Sequence, residues 1–462
     1  MIKIITGQKL LDVSAEVIKS IGDNRLDLMC DNIIVVPDRF SLLAEKMVFD
    51  CLGIKSTFNI RVMGITALAR KIINKANLDC VFCDAQESKF ILFRAMQKSK
   101  NSFVCFSKNL SQGLCQKIQN ALSLIRSSNI SCDELEKVNT VDINTQKKLQ
   151  DLALIYKNYE EMLNSKLDGN NTLKLFTSLI ENSLDLSSTN FYFCGFDAFT
   201  KQGYEIIKNI SKICKNLTIG AFFPTKNKNS SIFDIEMYNN LIGIFKQNNL
   251  EYQVEQTHSV LSLAQKQVFD NVYGYMLKPD TDYGYAKVFE MATKRDEIEL
   301  VAKKILELTK LQKCKYKDIF VATGESYFDQ IENIFTEYGI SFYTDKSVNM
   351  YNTQVSNFLR YALDICIQAD KESIINFVNN YFVDIEKPLK NDIENFVIEN
   401  NIEYSKYQEL EQFENQELNN IFEFSANMEK NSTIKDYVQK IDGLLQAYNI
   451  EKKLEALCEQ FM

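Results

Sequence analysis

Tryptophan is absent from the 462 residues, and the chain has a single histidine, four prolines and 15 glycines. One histidine, His258, lying in a polar stretch, argues against Ser-His-Asp and Cys-His nucleophilic sites and against His-rich metal sites. So few helix breakers permit long helices. No run approaches 18 uninterrupted apolar residues, so no membrane-spanning helix is expected. The opening MIKIITGQKLLD has no cleavable signal pattern, because its apolar run is short and broken by Lys3. A cytoplasmic chain is therefore expected. Basic excess is lacking too: the net charge of −8 argues against a surface coated for nucleic acid.

What is present is ordinary globular material, 45% hydrophobic and 25% charged, with length for about three domains. The 12 cysteines are too sparse for a disulfide framework and sit mostly in apolar runs, as buried thiols do. Charge is unevenly spread. Lys371–Met462 carries nine basic and eighteen acidic residues, while the rest is near neutral. Ser88–Cys132 holds seven basic residues and no acid, and Lys201–Phe233 six lysines and one acid. These runs read either as phosphate-facing surface or as solvated lysine faces.

The first 75 residues alternate short apolar runs with amphipathic stretches. Lys3–Ile5, Asn32–Val36 and Ile60–Met63 read as strands, and Leu10–Ile21, Ser41–Cys51 and Ile65–Ile73 as helices, which points to a parallel α/β sheet. The strand signal vanishes between about 85 and 163, where amphipathic helices form an insertion. It returns at Asn190–Cys194 and Leu217–Phe223. A second unit starts near Tyr285, with strands expected at Lys287–Ala292, Asp318–Ala322 and Ile340–Tyr343 around helices Arg295–Leu308 and Tyr327–Tyr338. The organisation expected is 1–84 plus 164–258 as one α/β lobe, 85–163 as its helical insertion, 259–284 as linker, 285–370 as the start of a second lobe, and 371–462 as an acidic helical segment.

A phosphate loop would sit between the first strand and helix. That chemistry needs GxxxxGK[ST], with glycines admitting backbone N–H groups to the phosphates and a lysine neutralising them. Here only Gly7 and Ser14 fit the pattern; Val13 stands at the lysine position and Asp12 would repel a phosphate. ATP binding is not expected. Cys80-Val-Phe-Cys83 lacks a second ligand pair for zinc, and the triplets Glu87-Ser-Lys89 and Glu451-Lys-Lys453 lie in helical sequence without the upstream aspartate of a two-metal nuclease. We expect no catalytic residue and no metal ligand set in this chain. The run Phe191–Thr200 is the densest in aromatics; Tyr192 or Phe193 reads as core, while Phe196 and Phe199 follow the strand and could either pack or stack on bases.

Five segments, taken in order, resemble the N-terminal, helicase-like part of the B subunit of the bacterial ATP-dependent helicase/deoxyribonuclease (the AddAB type). They are Asn32–Lys46 (NIIVVPDRFSLLAEK), Arg61–Arg70 (RVMGITALAR), Phe193–Thr200 (FCGFDAFT), Lys294–Ile305 with Tyr316–Ile319, and Tyr338–Asp345 (YGISFYTD). The resemblance implies two RecA-like (P-loop NTPase, superfamily 1 helicase-like) lobes with large helical insertions, and a role in double-strand break repair and recombination. It implies two partners, the AddA-type motor and DNA, single-stranded or as a duplex end. It implies no membrane and a nucleoid-associated place in the bacterial cytoplasm. It also implies an iron–sulfur cluster and Mg in a C-terminal nuclease domain that lies beyond this stretch, so the chain reads as truncated or non-catalytic. An interaction protein that pairs with the motor without touching DNA, or an ATPase with a diverged loop, are the alternatives.

The resemblance places Arg39 and Ser41 where the family's reader of the recombination hotspot (Chi) has Gln and Thr, and Ala67 and Arg70 where it has Arg and Trp. Cys194 replaces the acid expected before Gly195, and Thr353-Gln-Val355 replaces an HPL segment. The candidate DNA-binding set is therefore Arg39, Ser41, Thr66 and Arg70, with Phe196 and Phe199 alongside.

Overall fold

The computed structural model describes every residue except 77, 79, 107–109, 139, 141, 165, 183, 224–234, 258–286, 312, 345–349, 368–369, 403–406, 429–432 and 462. The expected linker 259–284 lies outside the described residues. Two compact units divide the chain, Met1–Val288 and Phe289–Met462.

In the first unit β1 (Ile2–Gly7) leads into α1 (Leu10–Lys19), β2 (Asp31–Val35) into α2 (Ser41–Leu52), and β3 (Ile60–Met63) into α3 (Ile65–Lys75). A two-stranded ribbon of β4 (Val81–Phe82) and β5 (Lys166–Leu167) frames the helices α4 (Ala85–Ser99), α5 (Gln112–Ser127), α6 (Cys132–Glu136) and α7 (Ile143–Leu163). Then come α8 (Gly169–Asn182), β6 (Thr189–Phe193), α9 (Lys201–Ile213), β7 (Asn216–Phe222), α10 (Glu236–Gln247) and β8 (Tyr252–Gln256). The main sheet has six strands in the order β3-β2-β6-β7-β1-β8, every pair parallel.

Parallel strands covered on both faces read as continuous apolar runs, and side chains alternate between the faces. Ile33 and Val35 of β2, with Phe191 and Phe193 of β6, pack under α3, α8, α9 and α10. Ile34 and Val36, with Tyr192 and Cys194, pack under α1 and α2. Tyr192 and Phe193 are thus both core, on opposite faces. α2 stops at Gly53, whose φ of +62° is the left-handed cap that glycine takes without strain.

The helical stretch between the ribbon strands has its own core, including Leu92, Met96, Ile118, Ile155 and Leu163. Two buried carboxylates organise it. Asp151 accepts from the backbone N–H groups of Val104, Cys105 and Phe106, each at 2.8 Å. Asp168, just before α8, takes both terminal nitrogens of buried Arg126 at 2.5 and 3.1 Å and the Tyr159 hydroxyl at 2.7 Å. Part of the basic run is therefore structural: Arg126 is consumed here, and Lys98 pairs with Glu161 at 2.9 Å.

In the second unit α11 (Lys294–Lys310) and α12 (Phe328–Glu337) pack through Ile298, Ala302, Ile305, Ile331, Ile334 and Phe335. The strands expected at Lys287–Ala292, Asp318–Ala322 and Ile340–Tyr343 are not formed: none of these segments joins a ladder among the described residues. A strand exists only by pairing, and short apolar segments without a neighbour stay irregular. The remainder is helical: α13 (Gln354–Ile367), α14 (Lys371–Val378), α15 (Lys387–Glu399), α16 (Gln416–Asn427), α17 (Ile434–Ala447) and α18 (Ile450–Phe461). These helices enclose a core rich in phenylalanine, with Phe358 against Phe377 and Tyr448. Among the described residues no helix is long and apolar enough to cross a membrane.

Candidate nucleic-acid interface at the carboxyl edge of the sheet

Because the six strands are parallel, all their carboxyl ends meet at one edge, where open α/β sheets bind ligands. Gly7, Arg39, Ser41, Thr66, Phe196 and Phe199 all follow or close strand ends at that edge, and Arg70 lies one turn further along α3.

The turn after β1 has only two residues, Gln8 and Lys9. Wrapping a phosphate takes a longer run of backbone N–H groups. A side chain at Gly7 would overlap the Thr257 hydroxyl and come within 2.8 Å of Val13 Cγ2, so this glycine serves close packing. Ser14 is buried; its Oγ donates to Leu10 O at 2.8 Å. Asp12 occupies the first turn of α1. Cys194, at the end of β6, is fully buried, and burial pushes its thiol up to about 12, so it stays protonated at neutral pH. These residues do not fit a nucleotide with its metal ion. Among the described residues there is also no cluster of His, Cys, Asp or Glu able to hold a metal.

The neighbouring loops are built differently. β2 ends before Pro37, and a single 3₁₀ turn, Asp38–Phe40, precedes α2. Its two flanking side chains are seated on glycines from other loops. A Cβ at Gly64 would overlap the Asp38 carboxylate, and one at Gly195 would lie 2.7 Å from the Phe40 ring. Gly195 also has φ +79°, a conformation few other residues adopt. Arg39, held between these seated neighbours, is exposed, and among the described residues no partner contacts its guanidinium. Ser41 donates from Oγ to Asp38 O at 2.8 Å, which fixes the turn.

Thr66 and Arg70 are four residues apart on α3 and share a face. Arg70 lies over the Phe82 ring at 5.3 Å, and its Nε is buried without a hydrogen-bond partner among the described residues. Phe196 and Phe199 are half-buried, their centroids 4.6 Å apart, and Phe199 also meets Phe193 and Tyr204 at 6.1 and 5.6 Å. Each keeps part of its ring in solvent. Phe199 also lines an open groove of about 840 Å³ with Lys201, Tyr204, Lys208 and Asn240. Sequence reading missed Phe40 and Tyr204. Gly195 directly after a strand was the available signal for Phe40.

The family model described as "ADDB, N-terminal" matches residues 4–271. The chain belongs to that family. It is 23% identical to the B subunit of the ATP-dependent helicase/deoxyribonuclease of Caldanaerobacter subterraneus subsp. tengcongensis, over 93% of this chain and 41% of the relative. It is 23% identical to the protein of the same name from Clostridium botulinum strain Loch Maree, over 93% and 42%. For the Clostridium acetobutylicum protein of that name the identity is 25%, over 79% and 34%. The chain thus spans about two-fifths of the length of these relatives or less.

Proposed function

We propose that this chain is the DNA-contacting, helicase-like part of an AddB-type protein, acting with an AddA-type motor in processing broken DNA ends for repair and recombination. It supplies no hydrolytic chemistry of its own: ATP turnover falls to the motor, and DNA cleavage to a nuclease domain outside this stretch. The first unit is a RecA-like lobe, supported by its all-parallel sheet and helices on both faces. The second unit is the start of another, supported by its strand-type segments alternating with α11 and α12.

The observation that carries the reading is Arg39: an exposed guanidinium without a partner among the described residues, on a turn braced by two glycine-seated side chains. It lies at the edge where Ser41, Thr66, Phe196 and Phe199 converge. Arg39 and Arg70 meet phosphates, the hydroxyls of Ser41 and Thr66 hydrogen-bond the backbone, and Phe196 and Phe199 stack on bases.

The test is anisotropy of a labelled single strand against salt. Arg39→Ala with Arg70→Ala is expected to weaken binding at least tenfold and to flatten the salt dependence by about one to two ion equivalents, what two lost phosphate contacts give. Wild-type affinity in the double variant overturns the reading.

A second reading, pairing with the motor without DNA contact, is favoured by the exposed Leu26, Leu28, Met29 and Phe58 around the opposite, amino edge. In that case the double variant leaves complex formation and DNA handling unchanged.

A further inference from the structure

Seven basic residues and no acid lie between Ser88 and Cys132. The fold consumes two of them, Arg126 on Asp168 and Lys98 on Glu161. Lys108 lies outside the described residues. The other four, Lys89, Arg94, Lys100 and Lys117, make no ion pair or side-chain hydrogen bond among the described residues, and all but the half-buried Lys89 are exposed. On other helices of this chain, lysines are neutralised one turn away: Lys19 by Glu16 on α1, Lys208 by Glu205 on α9, Lys304 by Glu307 on α11. α5 has no acid, and Glu87, the one acid of α4, is taken by Lys166. The outer face of α4 and α5 thus keeps positive charge in a chain of net charge −8, which is the footprint of an anionic partner.

The two helices meet where the Cys115 thiol approaches Lys89 O at 4.0 Å. Beside that contact a cleft of about 460 Å³ is lined by Lys89, Gln86, Gln116, Asn120 and Ser123. Ammonium, amide and hydroxyl groups are the donors that bind phosphate oxygens without regard to sequence. The ions at the base of the cleft, Arg126 and Asp168, cancel each other.

We propose that the outer face of α4 and α5 binds the phosphate backbone of double-stranded DNA. The proposal rests on the reading of this chain as a DNA-contacting protein, and adds a second contact to the one at the carboxyl edge of the sheet. Two observations favour a duplex over a single strand. Single strands are held on exposed aromatic rings, but Phe93, Phe103, Phe106, Tyr156 and Tyr159 pack into the helical core, and Phe90 is the one exposed ring among the described residues of this stretch. Lys89 to Lys100 spans about 16 Å, over which a duplex offers about nine phosphates and a single strand about half as many.

The test is anisotropy of a labelled blunt duplex, and of a single strand of the same length, against salt. The variant combines Lys89→Gln, Arg94→Gln, Lys100→Gln and Lys117→Gln; none of the four side chains has a partner to lose among the described residues, so the melting temperature stays that of the parent. Duplex affinity is expected to fall at least tenfold and its salt dependence to flatten by about three to four ion equivalents, while single-strand affinity stays within about twofold. A control combining Lys310→Gln, Lys313→Gln, Lys317→Gln and Lys435→Gln removes the same charge from exposed positions of the second unit and leaves duplex affinity unchanged. Parent-like duplex binding in the first variant, equal losses for duplex and single strand, the same loss in the control, or a parent chain with no measurable duplex affinity overturns the proposal. Arg39 and Arg70 are intact in both variants, so failure at the carboxyl edge and failure here give separate signatures.

Discussion

The side-chain amide of Asn190 donates to Oδ1 of Asn32 at 2.9 Å, between adjacent strands and out of reach of solvent. Asn190 in turn accepts from Asn216 at 2.9 Å, and Asn32 donates to the Asn24 carbonyl at 3.1 Å. The register pairs Asn32 with Asn190 and Asn190 with Asn216, so the three amides form a ladder across β2, β6 and β7. Asn190→Leu leaves the buried Asn32 Oδ1 with only the Tyr192 hydroxyl at 3.5 Å and takes the acceptor from half-buried Asn216, and should cost about 1–3 kcal/mol, the penalty for one poorly satisfied buried group. Urea unfolding followed by circular dichroism checks it; an unchanged midpoint refutes it.

Arg39 and Arg70 should separate in stability. Arg39 has no partner to lose among the described residues, so Arg39→Ala is expected to leave the melting temperature within about a degree or two while weakening DNA binding. Arg70 packs over Phe82, and Arg70→Ala should cost about 1 kcal/mol as well. Calorimetry of the two variants side by side tests the contrast.

Gly195→Ala meets two obstacles at once, a positive φ and the Phe40 ring. A loss of about 1–3 kcal/mol is expected. Displacement of Phe40 should also weaken DNA binding, because the Arg39 turn loses one of its seats. Thermal melting with anisotropy on the same sample reads both effects.

The Asp168–Arg126 pair gives the helical insertion an acid-sensitive tie. Burial alone would raise Asp168, but the Arg126 guanidinium and the Asn171 N–H hold its carboxyl below the ordinary 3.8. A depressed folded value means the contribution is full above the ordinary value and lost as pH falls through the folded one. Hydrogen exchange in α5 and α7 should therefore accelerate as pH drops below about 4, beyond the intrinsic pH effect. Asp168→Asn should show no such acid step and should cost about 3 kcal/mol at neutral pH, because buried Arg126 then keeps, among the described residues, one carboxylate, the half-exposed Glu160 at 3.0 Å, beside the Tyr156 and Tyr159 rings.

Cysteine reactivity should follow burial. Cys105 and Cys458 are exposed and should alkylate with iodoacetamide in the native protein, whereas Cys194 should react only after unfolding. Peptide mass spectrometry after a timed pulse decides this.

Local chemistry made much of the first unit legible. The NIIVV run ending at Pro37 becomes β2, the IRVM stretch becomes β3, and the apolar spacing after Ser41 becomes α2. Strand signals at 318–322 and 340–343 were equally strong, yet no strand forms, since pairing is a property of the neighbour. The asparagine ladder was hidden because asparagine disfavours strands on average, and only the register reveals that the three residues face one another. In the candidate interface, Arg39, Ser41, Thr66 and Arg70 came from motif resemblance. The seat of Phe40 on Gly195 joins residues far apart in the chain and needed the fold.

The ladder lies at the amino rim of the sheet and the candidate interface at the carboxyl rim. Three strands are thus clasped at one end by their own amides, like the closed end of a fan. The opposite rim inherits a fixed spacing without having to create it. An exposed side chain on that rim, such as Arg39, can be exchanged without loosening the frame, so the chemistry presented there can change while the platform that presents it stays in place.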